Sequence, residues 1–264
     1  MSAEVFTRRL GRGSTVLLLH GQPGTGDDWA AVSPLLTGRH RLIVPDRPGY
    51  GRSPGPAVGI TGNADIAASL LDGEATPAVV VGHSYGAAVA LRLAELHPGL
   101  VAGLVLVAPA ATPAALDRFD LILGSEGAGT ALSFALVRGA GLAARALTLA
   151  PPSGWALLAR RTGADPTRMR ALAGQWANAE LWRSFAVEQR SMVWELPAVE
   201  DALGSISAPT VVLAGTRDRL VPRAATEALL AALPEARLRW TRGGHLVPWR
   251  DPVAVAQAVD ELSS

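Results

Sequence analysis

The chain has 264 residues, no cysteine and a formal net charge of +1, and all 24 of its basic residues are arginine. Without cysteine or lysine it has no disulfide, no thiolate nucleophile, no cysteine-based metal site and no lysine Schiff base. Near-neutral charge gives no reason to expect nucleic acid or an acidic membrane as partner, while 49% apolar against 18% charged residues suffices for a sizeable core.

Met1–Gly13 carries charges and no apolar run of signal-peptide length, so a cytoplasmic location is expected. Glu4–Leu10 could form an edge strand. Thr15–Leu19 is the first strong strand and runs into Leu19-His20-Gly21-Gln22-Pro23-Gly24. Asp28–Leu36 reads as helix and Arg41–Val44 as strand. Asp46-Arg47-Pro48-Gly49-Tyr50-Gly51-Arg52-Ser53 follows as a structural turn. Asn63–Leu71 is helical, and Ala78–Val81 is a short β-branched strand. It leads into Gly82-His83-Ser84-Tyr85-Gly86 and an Ala- and Leu-rich helix, Tyr85–Leu96, closed by His97-Pro98-Gly99. Leu104–Val107 is the next strand. Several of these runs are continuously apolar, as strands buried on both faces of a parallel sheet are.

Between Thr112 and Ser205 the alternation stops. That stretch has no good strand and holds four of the seven tryptophans, Trp155, Trp176, Trp182 and Trp194. Pro151-Pro152 and Asp165-Pro166 punctuate its helical segments. Ala131–Ala150, broken by Arg138 and Arg145, reads as an amphipathic helix rather than a membrane span. The strand–helix alternation resumes with Thr210–Ala214, Arg223–Leu233, Arg237–Trp240 and Val253–Leu262, two of the helices being led by Pro222 and Pro252. The expected fold is α/β, a mostly parallel central sheet with helices on both faces. Residues 1–111 and 206–264 would form the core and 112–205 an inserted helical cap.

The pentapeptide around Ser84 sits between a strand and a helix, which is the context a G-x-S-x-G nucleophile elbow needs. Its turn holds the serine in a strained left-handed conformation, and Gly82 and Gly86 remove side chains that would collide. Serine needs an adjacent base, and that base an orienting group. Asp218, after Thr210–Ala214, is the candidate acid. Taken alone it is an ordinary turn aspartate; between Ser84 and a later histidine it fits the order serine, acid, base. His245, in Gly243-Gly244-His245-Leu246-Val247-Pro248-Trp249, is the candidate base. His40 and His97 read as surface residues, and His83 as a residue turned into packing. The oxyanion donors expected are the backbone N–H groups of Tyr85 and Gln22, with Gly21 as the alternative, because Pro23 cannot donate. His20 is expected to brace that loop; a direct role is its alternative.

The combination of HGQPG, GHSYG, Asp218 and GGHLVPW resembles the α/β-hydrolase superfamily from about residue 3 onward. The resemblance implies a serine hydrolase acting on an ester, lactone or related acyl compound, without cofactor or metal. Ser84 sets the chain apart from the dehalogenase and epoxide-hydrolase branches, which use aspartate at the elbow. The alternatives are a perhydrolase- or haloperoxidase-like member, with Trp29 near the oxyanion loop, a biosynthetic lyase or synthase, and a ligand-binding receptor. Trp176, Trp182, Trp194 and Trp249 are the candidate lining of a partly apolar substrate pocket. Arg183 and Arg190 read as solvated helix residues.

Overall fold

In a computed structural model that describes residues 5–74, 77–149, 151, 153–156, 170, 173–233 and 235–263, seven strands join in one sheet. They are β1 (Thr7–Gly11), β2 (Ser14–Leu19), β3 (His40–Pro45), β4 (Ala78–His83), β5 (Val101–Val107), β6 (Thr210–Gly215) and β7 (Arg237–Thr241). Their order is β1-β3-β2-β4-β5-β6-β7. β1 pairs antiparallel with β3, and every other neighbouring pair is parallel. All the interior strands read from the sequence form, with slightly wider bounds. The edge strand lies at Thr7–Gly11 rather than 4–10, and Glu4 is outside the described residues.

Helices among the described residues include α1 (Ser33–Leu36), α2 (Ile60–Leu71), α3 (Tyr85–Leu96), α4 (Arg118–Leu123), α5 (Ala128–Thr148), α6 (Leu181–Ala202), α7 (Arg223–Ala232), α8 (Val247–Arg250) and α9 (Pro252–Leu262). Alternate strand residues feed two cores. Leu17, Val80, Leu104, Leu106 and Val212 pack against α2, α3 and α7 on one face. Val16, Leu18, Val79, Val81, Val105 and Leu213 pack against Trp29, Val32, Leu36 and α9 on the other. This period-two division is why the strands read as continuous apolar runs. Burying each such side chain is worth about 1.5–3 kcal/mol.

Two local expectations are corrected. Asp28–Leu36 is not one helix but a 3-10 turn, Gly26–Trp29, followed by α1. Thr25 and Asp28 form a capping box that starts the first, and Pro34, lacking an N–H, can only sit in the first turn of the second. His40 is not on the surface. It is 4% exposed, hydrogen-bonded to Ser14 Oγ at 2.7 Å and to Asp260 Oδ1 at 2.7 Å.

Between β5 and β6 lie α4, α5 and α6. Pro152, Asp165 and Pro166 fall outside the described residues. No helix among the described residues is long and apolar enough to cross a membrane. Met192, Leu196 and Val199 of α6 belong to the same cluster as Leu17, Ile60 and Leu91, so this helix is seated on the sheet side of the insertion.

Candidate active site

Strand order reverses at β2, which has β3 on one side and β4 on the other, and groups collect beyond the strand ends at such a switch point. Ser84 stands at the end of β4, with φ 53° and ψ −117°. For a side-chain-bearing residue this conformation costs on the order of 1–3 kcal/mol. The surroundings enforce it. Ser84 N–H donates to Val107 O at 2.9 Å, and its carbonyl accepts from Ala87 N–H at 3.0 Å. A Cβ at Gly82 would overlap the Gly86 carbonyl, and one at Gly86 the Leu19 and His20 carbonyls. Bare glycines therefore let β4, α3 and the end of β2 approach one another. Tyr85 opens α3, so its N–H has no intrahelical partner.

Asp218 lies beyond β6 and His245 beyond β7, and their loops are joined. Arg217 N–H donates to Gly243 O at 2.7 Å. Asp218 Oδ1 accepts from the N–H groups of Leu220 at 2.9 Å and Val221 at 3.0 Å, and Oδ2 accepts from His245 Nδ1 at 2.9 Å. Burial raises the Asp218 carboxyl. The hydrogen bond and charge of His245, with the two backbone donors, outweigh that and hold it below the usual carboxylate range. An imidazole whose Nδ1–H is committed to a carboxylate presents Nε2 as the free proton acceptor. The structure thus brings Asp218 and His245 into contact, as expected.

His83 is buried, but it has a partner that the sequence did not reveal. Its Nε2 lies 3.0 Å from His245 O, and the two rings are 5.0 Å apart. Burial, followed by the His245 charge, lowers its pKa to about 3.

The loop after β2 lies against the elbow. A Cβ on Gly21 would be 3.2 Å from Ser84 Cβ and 3.0 Å from His83 Nδ1. Gly21 O accepts from His20 Nδ1 at 2.9 Å and from Arg47 Nη2 at 2.9 Å. His20 Nε2 accepts the Arg47 N–H at 2.9 Å, which fixes the tautomer. Burial, then the Arg47 charge, holds the His20 pKa well below the usual histidine value. These contacts suit a brace.

The loop is also tied to α6. Gln22 Nε2 donates to Phe185 O at 2.9 Å, and Tyr85 OH pairs with Ser191 Oγ at 2.8 Å. Between them Arg47, 2% exposed, makes a two-pronged ion pair with Glu188, which is fully buried. Tyr50 OH donates to Glu188 Oε2 at 2.7 Å. The Arg47 guanidinium also lies 4.6 Å from the Tyr85 ring centroid. In the sequence Arg47 is one residue of a turn, and Glu188 carries no signal of its own. The one available signal was an arginine inside a Pro- and Gly-rich turn directly after a strand.

The candidate pocket tryptophans separate. Trp176 lines a cavity of about 280 Å³ with Pro23, Gly24, Thr25, Gly51, Gly174, Gln175, Asn178 and Leu181. This cavity adjoins the loop after β2, and its lining includes neither Ser84 nor His245. Trp182 packs on the Tyr50–Leu181 cluster and lies edge-on to Phe134. Trp249 is half-buried in α8. Trp194 is 72% exposed, which corrects its placement in a pocket: it falls on the outer face of α6. Arg183 is solvated, whereas Arg190 is half-buried and donates to Thr130 Oγ1 at 3.0 Å. Among the described residues no group of three His, Asp or Glu side chains could hold a metal ion.

The family model for the alpha/beta hydrolase family matches residues 16–258. The chain belongs to that family. The Magnesium-chelatase 30 kDa subunit of Rhodobacter capsulatus is 32% identical over 254 residues, covering 89% of this chain and 81% of that protein. A pimeloyl-(acyl-carrier protein) methyl ester esterase of Aromatoleum aromaticum is 33% identical over 264 residues, covering 94% and 97%. A solved thermophilic esterase from Thermogutta terrifontis superposes with a TM-score of 0.72 at 27% identity, covering 97% of this chain and 92% of that one. Within the family, this chain is an enzyme of the ester-hydrolase kind.

Proposed function

We propose that Ser84, His245 and Asp218 form the catalytic triad of a serine hydrolase for a small, partly apolar acyl compound. Ser84 attacks the carbonyl carbon while His245 Nε2 takes its proton. Asp218 orients the ring and stabilises the imidazolium. The N–H groups of Gln22 and Tyr85 hold the oxyanion. Collapse of the tetrahedral intermediate expels the alcohol, which takes the proton from His245. Water, deprotonated by His245, then releases the acid from the acyl-serine. Residues 112–205 serve as the cap over the core formed by 1–111 and 206–264.

The observation that carries this reading is the Asp218–His245 hydrogen bond at 2.9 Å, beyond strands that follow the strained serine in the expected order. The esterase names of the relatives support an ester as the bond cleaved. The cavity between the Pro23–Thr25 segment and Trp176 is a suitable subsite for the remote end of the substrate, close to the lower size limit of small-ligand pockets. The test is turnover of p-nitrophenyl esters of graded acyl length, beside lactones, by wild type and Ser84→Ala. A folded Ser84→Ala protein is expected to show no turnover and no fluorophosphonate labelling. Wild-type rates in that variant would refute the mechanism.

A further inference from the structure

We infer that Arg47 and Glu188 are positioning residues of the oxyanion hole, through which α6 sets the direction of the Gln22 N–H. The inference deepens the proposed function and rests on it for its kinetic part only.

One peptide plane, Gly21–Gln22, sets the geometry. In a trans peptide the C=O and the following N–H point in opposite directions. Gly21 O is held by two donors, His20 Nδ1 and Arg47 Nη2, each at 2.9 Å. The Gln22 N–H of that same peptide therefore faces away from Arg47, and Gly21 itself lies against Ser84. Arg47 Nε also donates to His20 O at 3.2 Å, so one guanidinium pins two consecutive carbonyls. A guanidinium can do this only if its remaining donors are aimed elsewhere and its charge is matched. Glu188 does both, and Tyr50 fixes the carboxylate in turn.

The second donor is referenced to the same helix. Tyr85 supplies the other N–H, its ring lies under Arg47, and its hydroxyl reaches Ser191. The anchor points on α6 are Phe185 O, Glu188 and Ser191, spaced three residues apart and so on one face. Both oxyanion donors are thus registered against a single rigid ruler. Oxyanion donors work only when aimed in advance at the place where charge develops, and a misplacement of about 1 Å costs on the order of 100-fold in rate.

Breaking one partner of a buried ion pair strands the other charge and is strongly destabilising, whereas replacing the whole pair with apolar groups of similar volume is often tolerated. The test therefore uses Arg47→Lys and the triple variant R47M/Y50F/E188L. Lysine keeps the charge but cannot span the carboxylate and two carbonyls at once. Three readouts are taken: p-nitrophenyl ester kinetics, affinity for a trifluoromethyl ketone, and deuterium uptake of the peptide spanning residues 19–25. In a variant with a wild-type melting temperature, kcat is expected to fall about 10- to 100-fold with KM within about twofold. Ketone affinity should fall by the same factor, and uptake in 19–25 should rise. Unchanged uptake would overturn the inference whether or not any ester is turned over, because that readout needs no catalysis. Raised uptake with wild-type kcat would overturn it equally. If the triple variant does not fold, Arg47→Lys alone decides by the same criteria. Absence of wild-type turnover together with raised uptake would sink the proposed function and leave the loop-positioning role standing.

Discussion

His83 Nε2 donates to the main-chain oxygen of His245 across 3.0 Å, so the residue before the nucleophile holds the loop that carries the base. A carbonyl can only accept, so Nε2 must carry the proton. Nδ1 is then bare, and it is buried without a partner. Both facts favour the neutral ring, in line with a pKa lowered to about 3 by burial and by His245.

The consequence for stability has a definite sign. Unfolded, His83 takes up a proton below about pH 6.5; folded, it refuses one until about pH 3. Its contribution is therefore complete above pH 6.5 and is lost as pH falls from there toward 3. Urea titrations at stepped pH should show His83→Gln with a shallower acid slope than wild type, by up to ~1.4 kcal/mol per pH unit. An unaltered slope would contradict the assignment.

Asp28 acts in the opposite direction. Burial raises its pKa to about 7, so between roughly pH 4 and 7 the folded chain holds a proton that the unfolded chain has released. This group makes the protein less stable as pH rises through 7. Asp28→Asn retains an acceptor for Thr25 N–H. Its loss of melting temperature between pH 6 and 8.5 should be smaller than that of wild type.

Asp218→Asn should lower kcat by about 10⁴-fold while preserving the fold. Its Oδ1 can still accept from Leu220 and Val221, but the amide would face His245 Nδ1 with a donor and impose the wrong tautomer. Steady-state kinetics beside circular dichroism checks this. A loss below about tenfold would remove Asp218 from the triad.

Gly86→Ala should destabilise by roughly 3 kcal/mol or prevent folding, because its Cβ meets main-chain oxygens that cannot turn away. Trp194→Ser provides the contrast. On an exposed face it should shift stability by no more than about 0.5 kcal/mol and leave kcat/KM intact. Trp176→Ala should weaken KM for long-chain esters more than for acetate, since Trp176 lines the cavity.

The sheet was legible because each interior strand is buried on both faces, which leaves a continuous β-branched run such as Ala78-Val79-Val80-Val81. Ser84, Asp218 and His245 can be proposed from the sequence because each follows a strand end and carries its own punctuating glycines. His40 was misread because its burial depends on Ser14 and Asp260, the latter 220 residues away. Glu188 was invisible for the same reason. A glutamate among Arg183, Gln189 and Arg190 looks like a solvated helix position until the fold brings Arg47 to it across 141 residues. The tryptophans were ambiguous because helical periodicity gives a face but not which neighbour covers it. Trp182 and Trp194 lie on the same helix and meet different environments.

The seating of α6 also decides where this chain can be recombined with its relatives. A chimera that exchanges residues 112–180 leaves Phe185, Glu188 and Ser191 with the core they brace, and replaces Gln175, whose amide donates to Thr25 Oγ1 at 2.7 Å, and Trp176 of the cavity. One that exchanges everything up to residue 205 imports a foreign scaffold for the loop after β2, along with the loss of the Glu195 carboxylate that accepts the Ile60 and Thr61 N–H groups at the start of α2. The workable crossover therefore lies before α6, inside what the chain order alone presents as a single insertion.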